Sequence, residues 1–218
     1  MKAVLKNKTL TAGAGRKPGR SPGWLLGIPV LLFILQPLCL MSFTGEPEIG
    51  PVSVEEYQMK AIWLAKVAMF IEWPKTSDVN NPAKPFVIVI LGDTPLAAAI
   101  HSLYIEGKQL IKEKTVVLKV LSERDNIPPC DLLFISRAAK FRLAKIIAEY
   151  EKRPVLIASD TEGFGDRGAH INFVVRNRTL QFEVNNGAML QAGLTAGYHL
   201  SKAATRIINP VEERSNKQ

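Results

Sequence analysis

Residues 85–93, PFVIVILGD, decide the fold class. The run is continuously apolar over a strand's length and stops at Gly92-Asp93, the pattern of a strand buried on both faces. Such a strand needs helices above and below its sheet, and the flanking sequence supplies them. Upstream, SVEEYQMKAIWLAKVAMFIEWP (53–74) places Tyr57, Ala61, Leu64, Ala68 and Ile71 at spacings of three and four, which predicts a helix. Ser53 and Glu56 form a capping box, Glu56 stands four residues before Lys60, and Trp73-Pro74 ends the run because proline disfavours helix in the residue before it. Trp63, Val67, Met69 and Phe70 widen the apolar face enough to pack on a sheet and a neighbour together.

Downstream the alternation continues. Thr94 caps a helix with Pro95 in its first turn, running to about residue 104. TVVLKVL (115–121), DLLFIS (131–136) and PVLIAS (154–159) read as strands, and 138–151 reads as a helix with Leu143, Ile146, Ile147 and Tyr150 on one side. Alternating strands and helices predict an α/β domain with a mostly parallel sheet flanked by helices. After Asp160 the pattern changes. TEGFGDRG (161–168) is a Gly-rich loop, and AHINFVVRN (169–177) and TLQFEVN (179–185) meet at a tight turn, Asn177-Arg178, so a C-terminal antiparallel hairpin is expected. Residues 187–193 and 198–208 read as helices broken at Gly193. The expected organisation is a leader over 1–44 and one domain over 45–218, with its core at 54–208.

The 218 residues are 47% hydrophobic and 22% charged, a globular balance with no collagen-like or disordered bias. A net charge of +8 would by itself invite a nucleic-acid reading. Its placement removes that reading, because six basic residues and no acid precede Gly45, which leaves 22 basic against 20 acidic residues in the body. Behind that basic stretch lies WLLGIPVLLFILQPLCLMSF (24–43), twenty residues without a charge. Basic flank, apolar run and polar exit describe an export signal, either cleaved or retained as an anchor long enough to span roughly 30 Å of bilayer. Both versions leave the body in the periplasm and confine membrane contact to the leader. Cys39 falls in the leader, so Cys130 stands alone in the body and no internal disulfide is expected. With no His, Lys or Arg beside it in sequence to lower its pKa, Cys130 reads as a small buried apolar residue.

Catalytic and metal-binding patterns are missing. His101, His170 and His199 are isolated, and no HExxH, CxxC or GxSxG occurs, so no catalytic residue, metal or cofactor is expected. The loop 163–168 follows a strand but leads into another strand, without the helix N-terminus that would hold a phosphate. Its glycines read as supplying positive φ. Asp160 and Arg167 flank it and are a candidate pair to stiffen it. Charged loops between strands are also where partners bind. Asp160, Phe164 and Arg167 of the loop, with Arg176 and Arg178 of the hairpin, therefore form the candidate partner surface. Glu183 and Asn185 are expected to satisfy turn and helix-start amides. A small-molecule site belongs at the carboxyl ends of the parallel strands, which singles out Asp93, Ser136 and Ser159.

Several segments in a fixed order carry a resemblance: FIEWP (70–74), LGD (91–93), Gly107-Lys108, Cys130 before LFIS (133–136), PVLIASDTEGF (154–164), RGAHINFVVRNRTLQFEVN (167–185) and AGL (192–194). Together they resemble the YfiR-like family over about residues 54–208. The resemblance implies a non-enzymatic α/β regulator of the periplasm, often a homodimer. Its namesake restrains a membrane-bound diguanylate cyclase by acting on the periplasmic sensory domain. For this chain it implies an inner-membrane diguanylate cyclase as partner and repression of cyclic di-GMP synthesis, with no nucleic-acid partner. The alternative is a small-molecule-binding sensory protein acting on another signalling partner. Members resembling the namesake carry further cysteines linked to redox control, whereas this body has Cys130 alone.

Overall fold

The first helix forms where its periodicity places it. In the computed structural model, which describes residues 54–209, α1 spans Val54–Met69 and buries Ala61, Leu64, Ala65, Val67 and Ala68. Three alanines on that face let the backbone approach the sheet closely, and Lys60 is held by Glu56 one turn back at 2.8 Å. Ser53 of the expected capping box and the whole leader lie outside the described residues. The helix stops at Met69 rather than running on to Trp73. Ile71–Glu72 (β1) pairs antiparallel with Thr195–Ala196 (β8), and the Gly197 N–H donates to the Phe70 carbonyl at 2.9 Å. A distant segment recruits that backbone and overrides the local apolar period.

Seven strands form the main sheet: Phe86–Leu91 (β2), Val116–Leu121 (β3), Leu132–Ile135 (β4), Leu156–Ser159 (β5), Ile171–Arg176 (β6), Thr179–Asn185 (β7) and Arg206–Ile208 (β9), in the order β3-β2-β4-β5-β6-β7-β9. Neighbours from β3 to β6 are parallel, β7 returns antiparallel to β6, and β9 is parallel to β7. The apolar run that decided the fold class is β2, flanked on both sides and buried on both faces. Phe86, Ile88, Ile90, Leu132, Phe134, Leu156 and Ala158 face one core with α1 and the short helix α2 (Leu96–Ile100). Val89, Leu91, Leu133, Ile135 and Ile157 face the other core, with Leu143, Ile146 and Tyr150 of α3 (Leu143–Tyr150). Period-two alternation thus feeds two cores from each central strand.

Two helices differ in kind from the expectation. The segment after β2 is α-helical only to Ile100 and continues as a π-helix over His101–Glu106, and α3 is preceded by a 3-10 helix over Arg137–Arg142. The expected helix over 198–208 is corrected more deeply: α5 covers Tyr198–Ala203, and the chain then extends as β9. Helix α4 (Asn186–Gln191) ends before Gly193, whose φ of 72° makes the expected break. Among the described residues no helix is long and apolar enough to cross a membrane.

The hairpin overhangs its neighbours. Strand β6 pairs with β5 only at Ile171 and Asn172, and β7 pairs with β9 only over Glu183–Asn185. Residues 173–182 therefore project as a two-stranded ribbon past the carboxyl end of β5. Its root is packed, with the Trp63 and Phe182 rings 5.4 Å apart and Phe173 against Phe182. Its turn places Asn177 and Arg178 at φ 52° and 60°, the two-residue geometry that matches strand twist.

Just before β6, His170 bridges to β5. Its N–H donates to the Ile157 carbonyl, and its Nδ1 accepts from the Ile157 N–H at 3.1 Å. Burial pushes the imidazole pKa down to about 3. Between that value and the unfolded pKa near 6.5, the unfolded chain binds a proton that the native one does not. The stabilising neutral form is thus fully favoured above pH 6.5, and stability falls as pH drops toward 3, by up to about 1.4 kcal/mol per pH unit. Urea melts of His170→Asn, which keeps an acceptor for Ile157, are expected to show a shallower acid limb in that window than the parent.

Candidate functional site

The Gly-rich loop between β5 and β6 is clamped at both ends by charges from distant segments. At its start, Asp160 Oδ2 accepts from Lys60 Nζ at 2.7 Å and from the Tyr57 hydroxyl at 3.3 Å. Lys60 is 4% exposed and also pairs with Glu56. Burial works against its charge, but Asp160 and Glu56 outweigh that and hold its pKa above the ordinary lysine value. Burial and the Asp160 charge together raise the Tyr57 hydroxyl. The expected Asp160–Arg167 pair does not form. Asp160 is taken by α1, and Arg167 instead lies over the Phe164 ring at 5.2 Å. Lys60 precedes Asp160 by 100 residues, so no local pattern announces the contact.

The other end of the loop sits on a row of polar side chains. Register sets Ser159, Asn172, Glu183 and Arg206 side by side across β5, β6, β7 and β9. Glu183, 4% exposed, is met by Arg176 Nη2 at 3.2 Å, Arg206 Nε at 3.3 Å and Asn172 Nδ2 at 3.4 Å. It is thus a buried charged node and not the amide cap expected of it. Asn185 does cap: its Oδ1 accepts from Ala188 N–H at the start of α4, while its Nδ2 donates to the Gly165 carbonyl, both at 2.8 Å. Arg206 also pairs with Asp166, which ties the loop to β9. Gly163 and Gly168 supply positive φ as expected, but Gly165 is needed for space, since a Cβ there would stand 2.8 Å from Glu183 Oε2.

These contacts sort the candidate residues. Arg167, Arg176 and Arg178 are exposed on the loop and the hairpin. Phe164 is 1% exposed and anchors the loop in the α3-side core, and the Asp160 carboxylate is spent on Lys60 and Tyr57. The outward-facing part of the candidate surface is therefore the three arginines. At the carboxyl ends of the strands, Ser159 is fully buried, donating to the Ile135 carbonyl at 2.8 Å and accepting from Thr161 N–H. Ser136 is also buried, against Gly92, where a Cβ would collide with its Oγ. Only Asp93 of that trio reaches solvent.

Open space lies elsewhere. A depression of about 530 Å³ is bounded by Phe70, Trp73, Lys112, Tyr198 and His199. Lys112 reaches it from a tight turn with Lys112 and Glu113 both at positive φ, and donates to the Met69 and Ile71 carbonyls. Burial lowers its pKa against the opposing effect of Glu72. No sequence pattern marks this group, because its members come from three separate stretches. A second depression, of about 360 Å³, borders Asp78, Lys84, Cys130 and Asp131 at the amino ends of the strands. Cys130 packs beside the α3-side core, and burial together with Asp131 pushes its thiol up to about 12, with Lys119 opposing. Among the described residues no group of three or more His, Cys, Asp or Glu stands together to hold a metal ion.

Comparison with protein families matches residues 57–205 to the family described as YfiR/HmsC-like. No curated protein matches the chain.

Lys60→Met would leave Asp160 buried without its cation, and is expected to cost about 3–5 kcal/mol in urea melts. Adding Asp160→Asn should recover part of that loss; full additivity of the two changes would deny the pair. At pH 8, iodoacetamide should leave Cys130 largely unmodified in the native protein and label it readily in urea, as mass spectrometry would read.

Proposed function

The chain belongs to the YfiR/HmsC-like family, and from that membership we propose that it is an exported regulator that binds the periplasmic sensory domain of an inner-membrane diguanylate cyclase and represses cyclic di-GMP synthesis. The observation that carries the reading is the family match over residues 57–205, which takes in α1 from Tyr57 onward, strands β2 to β7, the clamped loop and the hairpin, and ends one residue before β9. The leader sequence at 1–44 supports export, by cleavage or as an anchor.

The reading assigns chemistry to the surface as well. A regulator without a reaction of its own acts by differential binding to its target's states. Arg167, Arg176 and Arg178 offer exposed cations on a mount fixed by two ion-pair clamps, and complementary charge sets encounter rate and register. The protein works on its partner as a homodimer in this reading, with no nucleic acid and no cofactor.

A second reading, a small-molecule sensor, has one observation in its favour: the depression beside Phe70, Trp73, Tyr198, Lys112 and His199. Its open, mixed lining of aromatic rings with Glu72, Asn80, Lys112 and His199 suits a polar ligand better than the closed carboxyl ends at Ser136 and Ser159. The two readings combine if a ligand shifts affinity for the partner.

Deleting the gene should raise intracellular cyclic di-GMP. The full chain should restore the original level, and a chain lacking residues 1–44, held in the cytoplasm, should not. An unchanged messenger level in the deletion strain would remove the cyclase reading. For the sensor, a thermal-shift screen of amino acids and nucleotides should give a stabilising compound whose effect is lost in Lys112→Met.

A further inference from the structure

Resting on the partner-binding reading above, we propose that the overhanging end of the β6–β7 ribbon is the docking edge, that it takes an acidic extended segment of the partner as an added strand, and that Arg178 is the charge anchor. Among the described residues no strand pairs with the outer edge of β6 beyond Asn172 or of β7 ahead of Glu183. The last link on the β7 side is the Phe182 carbonyl, which accepts from the Thr205 N–H at 3.0 Å and from Thr205 Oγ1 at 2.9 Å. Backbone groups of alternate residues point the same way, so the N–H and carbonyl of Leu180 face outward beyond Thr205 with no strand opposite them. Val175 is half exposed on the same ribbon. Such an edge is a template for strand addition.

Charge selects the occupant. From Arg167 to Phe182 the chain carries three arginines and no Asp or Glu. Arg176 is partly committed to Glu183, whereas Arg178 is exposed and bonds to no described residue. A second copy would bring its own arginines against these, and like charges across strands repel. An acidic strand answers both the open backbone and the unpaired cation.

The turn supplies a further sign. Arg178 stands at φ 60°, where glycine is the unstrained choice and where turns of this type favour Asn-Gly. A side chain kept at conformational cost, with no hydrogen bond or ion pair to a described residue, is accounted for by a contact outside the fold. Arg178→Gly should therefore improve the fold and impair binding together, a split that a merely structural residue does not give.

The test uses the protein purified after export and two capped octapeptides, one alternating Glu and Val, the other alternating Lys and Val. In amide NMR spectra the acidic peptide should shift residues 173–182 and slow hydrogen exchange at Leu180, and the basic peptide should do neither. Arg178→Gly should raise the melting temperature by about 2–4 °C and weaken the acidic peptide about tenfold, while Arg178→Lys retains most of the binding. Shifts that map elsewhere, equal binding of both peptides, or unchanged affinity in Arg178→Gly would overturn the proposal. So would Arg178-dependent binding to phosphatidylglycerol vesicles without peptide binding, which would make the ribbon a membrane contact. An unchanged messenger level on gene deletion removes the cyclase and leaves this edge standing; failure of the peptide removes the edge and leaves the cyclase reading.

Discussion

Glu183 is a carboxylate held almost entirely out of water, and an ion so placed persists only where opposite charge and hydrogen-bond donors surround it. The C-terminal half of the structure is arranged to meet that demand. Arg206 reaches it from an adjacent strand, so the last described segment extends as β9. Asn172 reaches it across the hairpin register, and Arg176 is drawn back toward it from the ribbon. The Gly-rich loop closes over the same group, with Gly165 set where a Cβ would stand 2.8 Å from Glu183 Oε2. One buried charge thereby links two strands, a loop and the hairpin.

The Lys60–Asp160 pair does the equivalent work at the start of the loop, tying it to α1. With Asp166 fixed by Arg206, the loop has an ionic anchor near each end and an aromatic one, Phe164, between them. Rigid mounting matters for a protein that acts by binding. Side chains already ordered before encounter lose less entropy on association, so more of the contact energy appears as affinity. The clamps consume the charges inside the mount, whereas the ribbon's outer arginine, Arg178, pairs with no described residue.

Most of the parallel sheet is legible in the amino-acid pattern. PFVIVILGD, DLLFIS and PVLIAS are apolar runs of strand length, and the structure pairs them as β2, β4 and β5 with both faces covered. The hairpin turn at Asn177-Arg178 is legible from two alternating runs separated by two residues. Four of the misses share one cause. The end of α1, the strand β9, the partner of Asp160 and the role of Glu183 each depend on a residue far away in the chain. Ile71 and Glu72 fit a helical period until Thr195 and Ala196 pair with them, and TRII fits a helix until β7 offers an edge.

Local chemistry, then, is what the sequence by itself determined: which runs are apolar enough to be strands, where glycine breaks a helix, where a turn fits between two strands, and the absence of acid from the hairpin turn and its flanks. These follow from interactions within a few residues, whose energies a linear pattern encodes. Tertiary structure alone decided which arginines are spent and which stay free, which serines are sealed and where open space lies. Pairing of buried charges and closure of a surface depend on distances between segments up to about a hundred residues apart, and only the folded chain brings those segments together.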